Sequence, residues 1–216
     1  LHIFGDYSIE VSVSVFIGKN RDYKNDDLVG LKHMRLVFAG EPEDGAILNA
    51  SLVKRLTGMD RIHCRPLHSN EWLNYEPAFK PVILTNYELR VFSTDDAFWR
   101  RPELIRFGQV FEGPTDNKNL TDELKVESEG ILAWIVEGAK EWYQVGLIAD
   151  PIIRKETTEY RIRQDTFRDF LESYTDGEMF GGGVSPPQPR WPVQSSILRT
   201  FYNNWTAREG LKPLGK

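Results

Sequence analysis

The fold class follows from residues 34–43, which read MRLVFAGEPE. A short apolar run ends there in an acidic turn, the pattern of a buried strand followed by a loop. A second apolar run, PVILT at residues 81–85, ends at Asn86 and predicts another buried strand. Between the two, apolar residues recur at helical spacing over residues 48–56 and stop at Gly58, which predicts a helix with a C′ glycine.

Basic side chains follow this predicted helix. From Arg61 to His68 they roughly alternate with apolar residues, a pattern that fits one arm of a hairpin. Apolar periodicity predicts further helices at residues 127–143, 159–174 and 195–208. We expect a boundary near residues 146–151, and the last two helices, around a loop rich in Pro and Gly, form a small second domain.

Composition excludes some classes of protein. The chain has 216 residues, of which 40% are apolar and 27% charged, as in ordinary globular proteins, and no apolar run approaches the ~20 residues of a membrane span. A single cysteine rules out an internal disulfide and a Cys-rich zinc site, which fits a cytoplasmic protein. The net charge of −5 excludes a uniformly basic surface, so any DNA contact must come from local clusters.

Polar residues at the two predicted strand ends are candidate catalytic or magnesium-binding residues. Glu41 and Glu43 stand where NTPases place the carboxylates that hold magnesium and polarise the attacking water, although a solvated acidic turn has the same pattern. Asn86 closes the next strand, where an amide can orient a water near a γ-phosphate. The alternative for Asn86 is a turn residue bound to its own backbone.

Two cationic segments are candidates for binding phosphate. The pair Arg100-Arg101 could stabilise transition-state charge in a neighbouring subunit, although paired arginines are often simply solvated. Residues 54–65 mix cations with small and apolar residues, as a loop that follows a phosphate backbone does. The triple glycine at 181–183 is not a nucleotide cradle, because no helix carrying Lys and Ser or Thr follows it.

These features occur in a particular order along the chain. An acidic strand end, a helix carrying Lys54, the stretch Thr57-Gly58-x-Asp60 and the basic hairpin precede Thr85-Asn86 and Asp96-x-x-Trp99-Arg100-Arg101. This order resembles the superfamily 3 helicases, and it looks most like their poxvirus and phage primase-helicase branch. The similarity continues through Glu129–Trp134, Gly138-Ala139, Tyr160-Arg161 and Phe201-Tyr202-x-x-Trp205, so it covers nearly the whole chain.

The resemblance implies an α/β fold with two domains. Residues 1–148 would be the C-terminal portion of an AAA+-type P-loop NTPase core with a parallel sheet. Residues 149–216 would be an incomplete, winged-helix-like α+β domain that binds DNA. The Gly-x-x-x-x-Gly-Lys-Ser/Thr loop of such cores is absent, so we expect the sequence to begin mid-protein and that loop to lie upstream of Leu1.

The resemblance also implies the site residues. Glu41 would be the Walker B acid that contacts magnesium through Mg²⁺-ATP, and Glu43 its partner. Asn86 would be the sensor of the γ-phosphate, and Arg100 or Arg101 the arginine finger that acts in trans. Residues in the basic segment would grip DNA; they are Lys54, Arg61, His63, Arg65 and His68.

The implied protein is an ATP-dependent replicative helicase of a phage or plasmid, cytoplasmic in a bacterial host or encoded by a virus. It would require Mg²⁺ and ATP, form a homo-oligomeric and usually hexameric ring, and translocate on single-stranded DNA. Its further partners would be duplex origin DNA, a primase domain and replication proteins. It would not bind a membrane. The alternative is a non-catalytic DNA-binding and oligomerisation module of a replication initiator.

Overall fold

The structure is a computed structural model that describes residues 1–18, 25–93, 95–175 and 195–209. The glycine loop at 181–183, predicted as a connector, lies outside the described residues. The strands of the described part are β1 (Ser8–Ser12), β2 (Leu36–Gly40), β3 (Ile62–Cys64), β4 (Leu73–Tyr75) and β5 (Lys80–Leu84). Its α-helices are α1 (Ala50–Thr57), α2 (Asp96–Trp99), α3 (Leu120–Val126), α4 (Ser128–Val145), α5 (Pro151–Arg163), α6 (Thr166–Thr175) and α7 (Ser195–Arg208). Short 3-10 helices lie at Gly5–Tyr7, Val13–Val15, Asn25–Leu31 and Gly113–Thr115.

A parallel three-stranded sheet in the order β1-β2-β5 forms the centre of the fold. The strands predicted from the two apolar runs are confirmed as β2 and β5, and the expected parallel pairing is observed between them. β1 was not predicted. Its sequence, SIEVS, alternates polar with apolar residues over only five positions, which is too short a signal to separate a strand from a loop.

Helix α1 buries one apolar face in the main hydrophobic core. Its three buried residues, Leu52, Val53 and Leu56, recur at helical spacing, as predicted, and they join the main hydrophobic core. The buried Asn49 caps the helix, because its side-chain oxygen accepts a hydrogen bond from the Leu52 N–H at 3.0 Å. The predicted buried face of α1 is therefore confirmed, whereas its cap by Asn49 was not predicted.

Gly58 ends α1, but not as the predicted left-handed C′ glycine. Its φ of −92° and ψ of −168° are extended, so its backbone conformation is open to any residue. The glycine is required for a different reason: a Cβ at this position would lie 2.8 Å from the Lys54 carbonyl oxygen. The close approach of the chain to the last turn of α1 therefore excludes a side chain.

We expect Gly58→Ala to lower the free energy of unfolding by about 1–3 kcal/mol, because backbone must shift to admit the methyl group. The measurement is chemical denaturation of the two proteins. Gly130→Ala is the matched control, since Gly130 lies within α4 and a Cβ there would meet nothing within 4 Å. The control substitution should raise stability by about 0.4–1 kcal/mol. Equal effects at the two glycines would contradict the steric explanation.

Helices α2 and α5 pack together through aromatic side chains. The rings of Trp99 and Tyr160 meet edge to face at 5.5 Å, and the Phe98 ring meets that of Trp99 edge to face at 5.2 Å. The Tyr160 hydroxyl donates to the Leu89 carbonyl at 2.6 Å, and the Trp99 indole N–H donates to the Ser93 carbonyl at 2.6 Å. Every buried polar group of this aromatic contact thus has a partner among the described residues.

The helix predicted at residues 159–174 covers the last five residues of α5 and most of α6, and residues 151–158 of α5 were not predicted as helix. The chain breaks near Asp165, whose side chain accepts a hydrogen bond from the Arg168 N–H at 3.1 Å and so starts a new helix. The helix predicted at 127–143 is confirmed as α4, and none of its residues is buried. None of the described helices, α4 included, is long and apolar enough to cross a membrane.

The chain divides into two compact units, residues 1–161 and 162–216. In the second unit, α6 and α7 enclose a small core of Phe170, Tyr202 and Trp205. The predicted helix at 195–208 is confirmed as α7. The described residues of this unit contain helices and no strand, so the winged-helix-like domain, like the boundary at 148/149, stays a prediction.

Candidate functional site

The ends of β2 and β5 place Glu41 and the segment before Asn86 at the same edge of the sheet. Gly40 and Leu84, the last residues of these two strands, are paired in the parallel register. The chain continues this pairing for one more residue, since the Glu41 N–H donates to the Leu84 carbonyl at 3.0 Å. Glu41 therefore lies beside the segment that leads from Leu84 to Asn86, although Glu41 and Asn86 are 45 positions apart in the sequence.

Glu41 has a strained backbone. Its φ of +56° lies in the left-handed region, which costs a non-glycine residue on the order of 1–3 kcal/mol. The side chain is exposed, whereas the following residue, Pro42, is buried. The protein thus keeps Glu41, which has an exposed carboxylate, in an unfavourable backbone conformation at the point where a buried strand ends.

The neighbouring polar residues differ in their settings. Glu43 is exposed, and its carbonyl accepts a hydrogen bond from the Ala46 N–H at 3.1 Å in the turn after β2. After β5, the Thr85 hydroxyl accepts from the Tyr87 N–H at 3.0 Å and donates to the Tyr87 carbonyl at 2.7 Å. Thr85, and not Asn86, therefore holds this turn, and the Asn86 amide is exposed at the edge of the sheet.

The two arginines of the predicted pair have different environments. Arg101 is half-buried, and its guanidinium donates to the Ala97 carbonyl at 2.9 Å and to the Thr57 hydroxyl at 3.0 Å. Arg100 is exposed, and its Nε donates to the Asp96 carbonyl at 3.3 Å. Arg101 thus connects α2 to the end of α1, whereas Arg100 presents its charge to solvent.

Lys54 also connects α1 to α2. Its ammonium group lies 2.6 Å from the Asp95 carboxylate, which also accepts the Ala97 N–H at the start of α2. The hydrogen bond from Lys54, together with that from Ala97, holds the pKa of Asp95 below its ordinary value. Sequence reasoning assigned Lys54 to DNA, but it did not foresee an ion pair with a residue 41 positions away.

The basic segment is confirmed as part of a hairpin. Strands β3 and β4 are antiparallel, with Ile62 opposite Tyr75 and Cys64 opposite Leu73. Ile62, Cys64 and Tyr75 are buried, and the Tyr75 hydroxyl donates to the Leu28 carbonyl at 2.6 Å, which fixes the hairpin on the core. Burial raises the pKa of Tyr75, because it removes water from the ionised form of the phenol.

The opposite face of the hairpin is exposed, and we call it the outer face. It consists of Arg61, His63, Arg65, Trp72, Asn74 and Glu76. Arg61 pairs with Glu76 at 3.0 Å, and His63 Nδ1 lies 2.6 Å from Asn74 Oδ1. His68 belongs to the connection between β3 and β4, where it has a φ of +61°, and is exposed.

Trp72 is the residue that sequence reasoning missed. Its ring stacks on His63, with centroids 4.3 Å apart and an interplanar angle of 7°. The Arg65 guanidinium lies 5.3 Å from the Trp72 ring centroid. Only one arm of the hairpin was predicted from the sequence. The signal that could have revealed Trp72 is the alternation of exposed Trp72, Asn74 and Glu76 along the second arm, with Tyr75 buried between them.

The oxygen atoms at the sheet edge suit magnesium better than a transition metal. Glu41, Glu43 and Asn86 offer carboxylate and amide oxygens, the hard ligands that Mg²⁺ prefers alongside phosphate oxygens. Among the described residues no group of three or more His, Cys, Asp or Glu side chains is arranged to hold a metal ion by itself.

Comparison with known proteins identifies two viral relatives. No family model matches the chain. A protein of Acanthamoeba polyphaga mimivirus with the name "Putative helicase" is 28% identical, over 68% of this chain and 17% of that protein. A protein of Frog virus 3 (isolate Goorha), also named "Putative helicase", is 23% identical, over 79% of this chain and 19% of that protein. The chain is thus a distant homologue of viral proteins of this name and spans less than one-fifth of their length.

Proposed function

We propose that the chain belongs to an ATP-hydrolysing DNA helicase of superfamily 3, of the primase-helicase branch. The observation that carries this proposal is the position of Glu41 beside the Leu84–Asn86 segment at one edge of a parallel sheet. The kinship with viral proteins named as helicases supports it. The proposed protein is a ring, as in the family it resembles, with an AAA+-type core and a C-terminal DNA-binding domain.

The proposed chemistry begins with a water molecule at the sheet edge. The exposed Glu41 carboxylate polarises this water for attack on the γ-phosphate, and Asn86 orients it by donating and accepting hydrogen bonds. Glu41 and Glu43 would hold Mg²⁺, which when bound neutralises charge on the phosphates. The strained backbone of Glu41 supports this role, because such strain is concentrated at functional sites.

Arg100 is the proposed arginine finger. A finger must reach a nucleotide on the neighbouring subunit, so its guanidinium has to be exposed, as that of Arg100 is. Arg101 is instead a positioning residue, since its bond to Thr57 fixes α2 against α1. The finger is therefore connected through α1 to the hairpin, and only four residues separate the end of α1 from the start of β3.

The test is turnover by the full-length protein that contains this chain. We expect ATP hydrolysis that single-stranded DNA stimulates and that drives separation of a forked duplex. Omission of Mg²⁺ should abolish both activities, because the phosphates lose their counter-charge. A protein that binds single-stranded DNA tightly but hydrolyses no nucleoside triphosphate, with or without DNA, would contradict the proposal.

The second candidate is a non-catalytic module of a replication initiator that binds DNA and oligomerises. The observation that favours it is the completeness of the outer face of the hairpin, which needs no nucleotide to present Arg65 and Trp72. On this alternative, the acidic residues at the sheet edge are a solvated turn. The turnover assay separates the two candidates, since the module binds DNA without hydrolysis.

A further inference from the structure

Helix α4 exposes a long apolar face. None of its residues is buried, and the exposed fraction is 76% for Trp134, 50% for Trp142 and 57% for Val145. A soluble protein seldom leaves large apolar side chains exposed together unless they contact a partner. α4 therefore carries more apolar surface than the described part of the chain buries.

One stripe of this face is ordered symmetrically, and we call it the tryptophan stripe. Steps of three and four residues bring its members to the same side of the helix. They are Ile131, Trp134, Gly138, Trp142 and Val145. From either end the order is aliphatic residue, tryptophan, glycine, tryptophan, aliphatic residue, with steps of 3, 4, 4 and 3 residues. A contact between two identical surfaces about a two-fold axis requires such an order, whereas a contact with a different partner does not.

Gly138 forms a notch at the centre of the stripe. Glycine destabilises the interior of a helix relative to alanine, yet a Cβ at Gly138 would meet nothing within 4 Å. The packing of the described residues therefore gives no reason for a glycine here. Trp134 and Trp142 lie about 6 Å before and after it along the helix axis. The notch between two exposed rings admits the backbone of a second helix, because small residues at a contact allow helix axes to approach closely.

A two-fold axis at Gly138 gives every residue of the stripe a suitable counterpart on a second copy. With the helices antiparallel, the two glycines face each other at the axis. Trp134 then lies beside Trp142 of the partner subunit, and Ile131 lies opposite Val145 of the partner subunit. Each exposed indole thus packs beside another indole and next to the notch, so the stripe is complementary to itself.

We propose that α4 pairs with α4 of a second copy of this chain, antiparallel about a two-fold axis at Gly138, through the tryptophan stripe. Such a contact closes after two copies. Neighbours in a ring instead meet head to tail through two different surfaces, so the α4 contact is additional to the ring of the proposed function and joins subunits of two separate rings. The inference goes beyond that function and does not depend on ATP hydrolysis.

The size of the stripe predicts a weak contact. Its two tryptophans together offer roughly 200–300 Å² per copy, from their exposed fractions and the area that a buried aromatic side chain covers. A stable interface buries about 800 Å² per partner. The pairing is therefore concentration-dependent, and it is strengthened where several subunits are already assembled and pair at once.

The first test is oxidative cross-linking of the full-length protein, with any cysteine outside this chain replaced by serine. Gly138→Cys places a thiol on the proposed axis, so two chains, and no more, should be linked on a denaturing gel. Cys64 does not interfere, since it is the only cysteine of the chain and is buried. Gly130→Cys is the matched control, because Gly130 has equally open space but lies outside the stripe. Ile131→Cys and Val145→Cys should each link poorly alone but link to one another when mixed.

The second test is the mass of the full-length protein by sedimentation velocity over a range of concentrations. At high concentration the wild type should reach twice the mass of Gly138→Leu, in which the notch is filled. Trp134→Ala should weaken this doubling by about 10- to 100-fold, as truncation of a central aromatic residue of an interface does. Gly130→Leu should behave like the wild type.

Three results would overturn the inference. They are equal cross-linking at Gly138→Cys and Gly130→Cys, linked species larger than two chains, and equal masses of the wild type and Gly138→Leu at every concentration. Gly138→Leu should not lower Tm, because leucine favours a helix more than glycine does, so a loss of pairing is not a loss of folding. ATP turnover is measured separately, and failure here leaves the proposed function unaffected.

Discussion

Replacing Glu41 by Gln should lower ATP turnover of the full-length protein by about 10²- to 10⁴-fold, the usual contribution of a positioned general base. The substitution keeps the size of the side chain and removes the charge that polarises water. Nucleotide binding should persist, so the loss appears in kcat. The measurement is steady-state hydrolysis at saturating single-stranded DNA.

Two further substitutions serve as controls for Glu41. Glu43→Gln changes an exposed carboxylate two residues away and should reduce turnover much less. Glu41→Gly should abolish turnover like Gln but raise the stability of the protein by on the order of 1 kcal/mol, because glycine accepts the positive φ without strain. Full activity in Glu41→Gln would exclude Glu41 as the base. A destabilised Glu41→Gly would contradict the assignment of strain.

Replacing Arg100 by Ala should lower kcat by about 10³-fold or more, as loss of an arginine finger does, with little change in thermal stability because the side chain is exposed. Arg101→Ala should behave differently. It removes the hydrogen bonds to Thr57 and Ala97, so we expect a loss of about 1–3 kcal/mol in the free energy of unfolding. For a chain of this size, each kcal/mol lowers Tm by roughly 2–4 °C.

Mixing experiments then show whether Arg100 acts in trans. Arg100→Ala subunits retain Glu41, and Glu41→Gln subunits retain Arg100, so interfaces between them recreate complete sites and turnover should partly recover. As a control, Arg100→Ala subunits are mixed with inactive Glu41→Gln subunits that also lack Arg100. Turnover should then not recover. A stable but inactive Arg101→Ala protein, together with an active Arg100→Ala protein, would reverse the assignment of the two arginines.

Local sequence patterns predicted much of the fold. Apolar runs gave β2 and β5 to within two residues, and helical spacing gave the buried face of α1. The pattern could not show that Gly58 serves a close approach, since that depends on where the chain goes after α1. The apolar spacing also joined the end of α5 to α6 in one predicted helix, because the cap by Asp165 interrupts that spacing very little.

The candidate site was predicted in part, and the reasons differ between residues. Two strand ends could be predicted to carry polar residues, and the parallel register brings Glu41 next to the Leu84–Asn86 segment. The roles of Arg100 and Arg101 could not be separated, because adjacent residues differ in burial only after the helix has packed. Trp72 was missed because its partners lie on the other arm of the hairpin.

Cys64 gives the hairpin a chemical reporter of its own. It is the only cysteine of the chain, it is fully buried on the inner face of β3, and burial raises the pKa of its thiol. A thiol-specific reagent can therefore react only when β3 separates from the core, as amide hydrogens exchange only on local opening. The rate constant for modification of Cys64 therefore reports the opening of the hairpin. No cysteine has to be introduced for this measurement.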